Sequence, residues 1–209
     1  MIKPSYHDNL TTLYCGDCKE IMKQLPNDMV SLINTDPPYT DKLLDKAYTI
    51  LAEESCRVMR HGASLTMLTG HFAIDRVIIM MVNSGLKYNW IVKMDQPAVH
   101  VRMRLGIEVT WMPILWYGKS NRFLSSWMKD GFTVEGRDGI EKPYHKWQKD
   151  LSWAEFFIRN LTRENEIILD PFMGSGTTIM AARKLNRISI GIDIEQECVD
   201  IAIKRIVEE

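Results

Sequence analysis

The sequence predicts an α/β fold in one domain, residues 1–209: a doubly wound, mostly parallel sheet covered by helices on both faces, a three-layer sandwich. Three observations predict it. Short apolar runs alternate with segments of helical spacing along the chain, as in βαβ units. Four of the runs end in turn chemistry, at Gly16-Asp17, Asp36-Pro37-Pro38-Tyr39, Asp170 to Thr178 and Gly191-Ile192-Asp193, where sheets of this kind bind ligands. A chain of 209 residues that is 45% hydrophobic and 25% charged has the size and balance of a soluble domain with a sizeable core.

Leu10 to Tyr14 and Val30 to Asn34 read as strands, with a helix from Cys18 to Leu25 between them that stops at Pro26-Asn27. From Asp41 to Met59, Leu43, Leu44, Ala47, Ile50, Leu51 and Val58 share one side of a helix. A strand over Ala63–Thr69, a helix over His71–Asn83 and a strand over Tyr88–Lys93 follow. Asp95 to Gly106 is less periodic and carries His100, Arg102 and Arg104; Ile114–Tyr117 is a strand, and Gly118–Pro143 is polar and loop-like. Leu151–Leu161 is helical, Glu166–Leu169 is the strand that enters the Asp170 turn, and Ile179–Leu185 (helix), Arg187–Ile192 (strand) and Gln196–Val207 (helix) complete the chain.

The longest apolar run, Val77–Val82, falls far short of the ~20 residues that span a bilayer. The first eight residues form no apolar leader, so a cytoplasmic protein with no membrane partner is expected. Cys15-x-x-Cys18 has zinc or redox spacing, yet no second pair completes a tetrahedral site; four reduced thiols and no metal are expected. The net charge of −1 argues weakly against nucleic acid but hides an asymmetry. Lys87–Lys149 holds 11 Lys and Arg against 6 Asp and Glu, while the rest carries an acidic surplus, so phosphates can be held locally.

Gly174 and Gly176 lack Cβ, so a ligand can approach the backbone of that turn, and the helix start behind it presents free N–H groups that suit a carboxylate. No Lys follows Gly176, which excludes a Walker phosphate loop. Asp193, one strand later, stands where such folds set an acid against ribose hydroxyls. In Asp36-Pro37-Pro38-Tyr39 the prolines fix φ and remove two donors, leaving carbonyls free to accept. With Asp36 and an aromatic beside them, the turn suits a planar group bearing an amine. Taken singly, either turn is also consistent with a rigid strand exit and a solvent-facing Asp.

Together these residues resemble the S-adenosylmethionine-dependent DNA amino-methyltransferases. Asp36-Pro37-Pro38-Tyr39 is similar to their catalytic motif and Asp170-Pro171-Phe172-x-Gly174-Ser175-Gly176-Thr177-Thr178 to their cofactor motif, in the order of the beta class. Gly16-Asp17-Cys18 and His145-x-x-Gln148-Lys149 fit the same pattern, although the family usually has proline where this chain has Lys146 and Asp150. The resemblance implies the class I methyltransferase sheet, circularly permuted so that the strand ending at Asp170 comes late. It implies S-adenosylmethionine contacts from Asp17 and Cys18, Asp36, Lys149, Asp170, Phe172, Gly174, Ser175, Gly176, Thr177 and Asp193. It further implies methyl transfer to adenine N6 in DNA, with Asp36 and the Pro37 carbonyl accepting from the amine, Pro38 holding the turn and Tyr39 stacking on a flipped base.

Asp before the two prolines leans towards adenine N6 over cytosine N4. Cytosine N4 methylation, an inactive nucleic-acid-binding partner subunit and a glutamine-modifying protein methylase are the alternatives. For DNA, the expectation rests on His100, Arg102 and Arg104 in a loop at 95–106, and on Lys119 and Arg122 in a loop at 118–144, with Trp127 or Phe132 stacking. That second loop is too short for a separate target-recognition domain. Relaxed specificity, a homodimer or a specificity-giving partner subunit would follow.

Overall fold

A computed structural model describes residues 2–38, 41–102, 105–120, 127–134 and 150–208. In chain order these form β1 (Tyr6–His7), β2 (Thr11–Cys15), α1 (Cys18–Met22), β3 (Val30–Thr35), α2 (Asp41–Val58), β4 (Met59–Leu68), α3 (Ile74–Met81), β5 (Lys87–Arg102), β6 (Ile107–Gly118), β7 (Gly131–Thr133), α4 (Leu151–Leu161), β8 (Ile167–Asp170), α5 (Thr177–Lys184), β9 (Ile188–Asp193) and α6 (Gln196–Val207).

The strands make one sheet in the order β1-β2-β9-β8-β3-β4-β6-β5-β7. From β2 to β4 every pairing is parallel, so β2, β9, β8 and β3 all deliver their carboxyl ends, Cys15, Asp193, Asp170 and Thr35, to one edge. The strand ending at Asp170 is late in the chain and central in the sheet, as the permuted order requires. Alternation along the buried strands sends side chains to opposite layers. Ile33, Leu65, Met67 and Leu169 pack with α1, α2 and α3, whereas Leu32, Leu68 and Ile168 pack with α4 and α5. Leu13 meets α5 and α6 on that second face.

Two parts depart from the sequence reading. Asp95–Gly106 is not an irregular loop: β5 and β6 form one long antiparallel hairpin, paired from Lys87 with Gly118 to Arg102 with Ile107. The pairing shifts register between Asp95 and His100, around Pro97, whose missing N–H interrupts the ladder. β6 leaves its neighbour β4 at the Leu68–Ile114 pair. Residues 93–102 and 107–113 therefore continue beyond the carboxyl edge as an arm roughly 20 Å long, at about 3.3 Å per residue. His71 pins the base of the arm, its Nε2–H donating to the Trp111 carbonyl at 2.9 Å.

The 118–144 segment is the second departure. It begins at the opposite edge of the sheet, because β6 runs antiparallel to β4 and returns its end there. β7 then adds a short parallel strand beside β5, Lys93 to Asp95 pairing with Gly131 to Thr133. Residues 121–126 and 135–149 lie outside the described residues. No described helix is long and apolar enough to cross a membrane.

Candidate functional site

The four strand ends open on one cavity of about 680 Å³ at the carboxyl edge. Gly16, Asp17 and Cys18 after β2, Asp36, Pro37 and Pro38 after β3, the Asp170–Ser175 turn after β8, Thr177 at the start of α5, and Asp193 after β9 all line it. Residues of α2 (Leu43, Lys46, Ala47 and Ile50) form one wall and Trp153 of α4 part of another.

Asp17 caps α1, its Oδ1 accepting from Lys19 N at 2.9 Å while Oδ2 takes the Lys46 ammonium at 3.0 Å. The Lys46 hydrogen bond is the main reason its carboxyl is held below the ordinary value. Asp193 accepts from Gly174 N and Glu195 N, both at 2.9 Å, and so braces the glycine turn. Burial nevertheless pushes its carboxyl up. Asp170 is almost fully buried; burial raises it to about 7, against hydrogen bonds from the Thr35 hydroxyl (2.7 Å) and Phe172 N (3.1 Å). A carboxyl held up by burial while lining a cavity is a candidate functional position. Burial lifts the Cys18 thiol to about 11, so it lines the cavity as a neutral apolar group and not as a nucleophile.

Gly174 has φ +51° and nothing within 4 Å of where a Cβ would stand, so its backbone faces open space. The cavity offers an open glycine backbone, buried carboxylates and apolar walls, a donor and acceptor set that fits an amino acid joined to a nucleoside. Gly176 differs from Gly174 in its surroundings. It does not line the cavity; at φ +81° its Cβ would meet Ala202 Cβ of α6 at 3.0 Å, so its role is to let α5 and α6 close together.

Tyr39, Arg104, Arg122 and Lys149 lie outside the described residues. His100 and Arg102 sit on the arm, at the same edge as the cavity. Lys119 does not: it is at the opposite edge, where its ammonium is tied to Asp28 at 2.7 Å and the Met59 carbonyl at 2.8 Å. Phe132 packs on Phe156 and Phe157 in the core, ring centroids 4.3 and 5.9 Å away, which removes it as a stacking face. Trp127 is fully exposed. Asp150, where the family pattern has proline, caps α4 by accepting from Ser152 N at 2.6 Å; both residue types open helices.

Sequence reasoning missed Lys46, Ile194 and Arg205. Ile194 lies beside Asp193 on the cavity rim, 63% exposed, and Arg205 of α6 donates to the Ser175 carbonyl at 2.5 Å. An isoleucine directly after an acidic strand end is the one local signal in the sequence. The four cysteines are free thiols, and no described group of three or more His, Cys, Asp or Glu could hold a metal ion.

A central parallel strand that runs into a glycine turn, an acid on the next strand and an Asp-Pro-Pro turn on the other side define a class I methyltransferase-like protein. The profile of the family N6_N4_Mtase, DNA methylase, matches residues 30–204. The chain belongs to this family, the N6/N4 DNA methylases. It is 37% identical to the type II methyltransferase M2.LlaDCHI of Lactococcus lactis subsp. cremoris, over 99% of this chain and 93% of that protein. It is 27% identical to the type II methyltransferase M.HinfI of Haemophilus influenzae, over 100% of this chain and 71% of that one. Among solved structures, the cytosine-N4-specific PvuII DNA methyltransferase superposes with a TM-score of 0.85 at 19% identity, over 98% of this chain and 89% of that one. The M1.HpyAVI–SAM complex gives 0.77 at 25% identity, covering 94% and 99%.

Proposed function

We propose that the chain methylates the exocyclic N6 amine of adenine in DNA, with S-adenosylmethionine as methyl donor. One observation carries this reading: the Asp36-Pro37-Pro38 turn and the Asp170–Ser175 turn open on the same cavity. When bound, the cofactor supplies a sulfonium methyl that is already activated, so the protein needs alignment and electrostatics more than a strong base. Asp170, Phe172, Gly174, Ser175 and Thr177 would hold its methionine end, Asp193 its ribose and Asp17 with Cys18 its adenine; Lys149 is a further candidate.

Asp36 and the Pro37 carbonyl accept from the two amine hydrogens. That favours a pyramidal nitrogen and frees its lone pair. Pro38 keeps the turn rigid, and Tyr39 stacks on a base drawn out of the duplex, whose amine is unreachable while paired. Asp, not Ser, at position 36 supports adenine over cytosine. The arm at the cavity edge, with Arg102 and His100 on β5 and Leu105 and Ile107 exposed near its tip, supports a DNA-facing role for that end. The segment 118–144 is too short for a recognition domain, so a second copy or a specificity subunit supplies readout, or readout is relaxed.

The test is mass spectrometry of nucleosides from duplex DNA incubated with the protein and isotope-labelled S-adenosylmethionine, with Asp36→Ala alongside. N6-methyladenine from the wild type and its loss in Asp36→Ala are expected. N4-methylcytosine, or full activity of folded Asp36→Ala, overturns the reading.

A further inference from the structure

A chain of buried polar side chains runs from β4 through β3 to the glycine turn. Thr66 Oγ1 donates to Asn34 Oδ1 at 2.7 Å, Asn34 Nδ2 donates to Thr178 Oγ1 at 3.3 Å, and Thr35 Oγ1 donates to Asp170 Oδ1 at 2.7 Å. All five residues are at most 3% exposed. The Thr178 hydroxyl has one proton and two acceptors in reach, the Asn34 carbonyl at 3.2 Å and the Asp170 carboxylate. Such a network is costly to leave half satisfied, so its members hold one another in place.

Its position is what matters. Asn34 and Thr35 immediately precede Asp36, while Asp170 and Thr178 flank the glycine turn. Two segments more than 130 residues apart in sequence, which carry the two halves of the cavity, are therefore bonded directly (Thr35 to Asp170 spans 135 residues).

We infer that Thr35 is a positioning residue that couples the cofactor turn to the amine-binding turn: its bond to Asp170 keeps that carboxylate ready for a cationic ligand group and fixes the backbone that presents Asp36. The inference rests on the function proposed above. The groups that bear on Asp170 are few. Asp36, beyond β3, raises it by charge; Thr35, Thr178 and Phe172 N favour its ionised form. Asp193 after β9 and Lys46 on α2 line the same cavity.

The test compares wild type, Thr35→Val and Thr35→Ser. Calorimetric titration with S-adenosylmethionine from pH 6 to 9 without DNA reads the Asp170 side; kcat and KM on duplex DNA read the Asp36 side. In Thr35→Val the pH below which cofactor affinity falls should move up by about one unit, since a donor to the carboxylate is lost. Its kcat should fall about tenfold or more, as expected for a hydrogen bond to a charged group, with KM for DNA changed less than about twofold. Thr35→Ser, which keeps the hydroxyl, should restore most of both. If Thr35→Val fails to fold, Thr35→Cys takes its place. A valine variant with wild-type kcat and an unmoved pH midpoint overturns the inference, as does a serine variant as impaired as valine, which would reduce the site to packing. Should Asp36→Ala prove fully active, the amine-binding reading fails by itself, and the pH midpoint still decides the Thr35–Asp170 bond.

Discussion

Gly174 and Gly176 are two residues apart in one turn, and alanine at each should fail differently. Both have left-handed backbones, φ +51° and +81°, which cost an L-residue about 1–2 kcal/mol. At Gly174 nothing lies within 4 Å of the new methyl, so that cost stands alone. At Gly176 the methyl would stand 3.0 Å from Ala202 Cβ and 3.5 Å from Ala202 Cα. A helix backbone cannot swing aside as a flexible side chain can, and overpacking of this kind adds about 1–3 kcal/mol. Gly176→Ala should therefore lose about 2–5 kcal/mol, a large share of the roughly 5–15 kcal/mol that holds a native domain. In urea unfolding followed by tryptophan fluorescence, its midpoint should fall well below that of Gly174→Ala. Binding should show the reverse asymmetry. The Gly174 methyl intrudes on the cavity, so Gly174→Ala should weaken S-adenosylmethionine by about tenfold or more in calorimetry while staying largely folded. Equal destabilisation at the two positions, or a Gly174→Ala protein that binds like wild type, would refute the assignment of Gly174 to the ligand and Gly176 to the helix pair.

Asp170 sets a pH signature. Its folded value of about 7 lies above the ordinary 3.8, so the folded state binds the extra proton between those values and stability falls as pH rises through that window, by on the order of 4 kcal/mol. Asp170→Asn should flatten that slope in urea titrations at pH 5 and 8; an unchanged slope would count against a buried, titrating carboxyl. Replacing Arg102 and Arg104 together should reduce the slope of log affinity for DNA against log salt by about one to two, whereas Lys119→Ala, at the far edge, should leave it unchanged. An equal effect of Lys119→Ala would overturn the placement of the arm.

The cavity was legible in the sequence because its chemistry is local. Asp36-Pro37-Pro38 and the Asp170 turn declare a strand exit, a rigid turn and an open backbone within a few residues, and the strand ends around them follow from alternation. What escaped the sequence depends on direction and distance. Ile107-Glu108-Val109-Thr110-Trp111 alternates like a strand, but Pro97 and the irregular Asp95–His100 pairing obscure its partner. Lys119 looked like a DNA contact because a sequence does not say that β6 runs back to the opposite edge. Gly176 looked like Gly174 because the helix that makes it indispensable begins twenty residues later. β7 has three residues, too few for any period to show.

The late position of β8 has a consequence for synthesis. β3 and its Asp36 turn leave the ribosome well before Asp170, and at roughly 5–20 residues per second the gap of some 130 residues lasts on the order of ten seconds. Through that interval β3 has β4 to pair with, but its other neighbour in the sheet does not yet exist. Thr35 then has no carboxylate to bond, and the centre of the sheet presents an open apolar edge. The nascent chain thus carries the Asp36 turn before the Asp170 turn that lines the same cavity, and the centre of the sheet can close only after both β8 and β9 have been made.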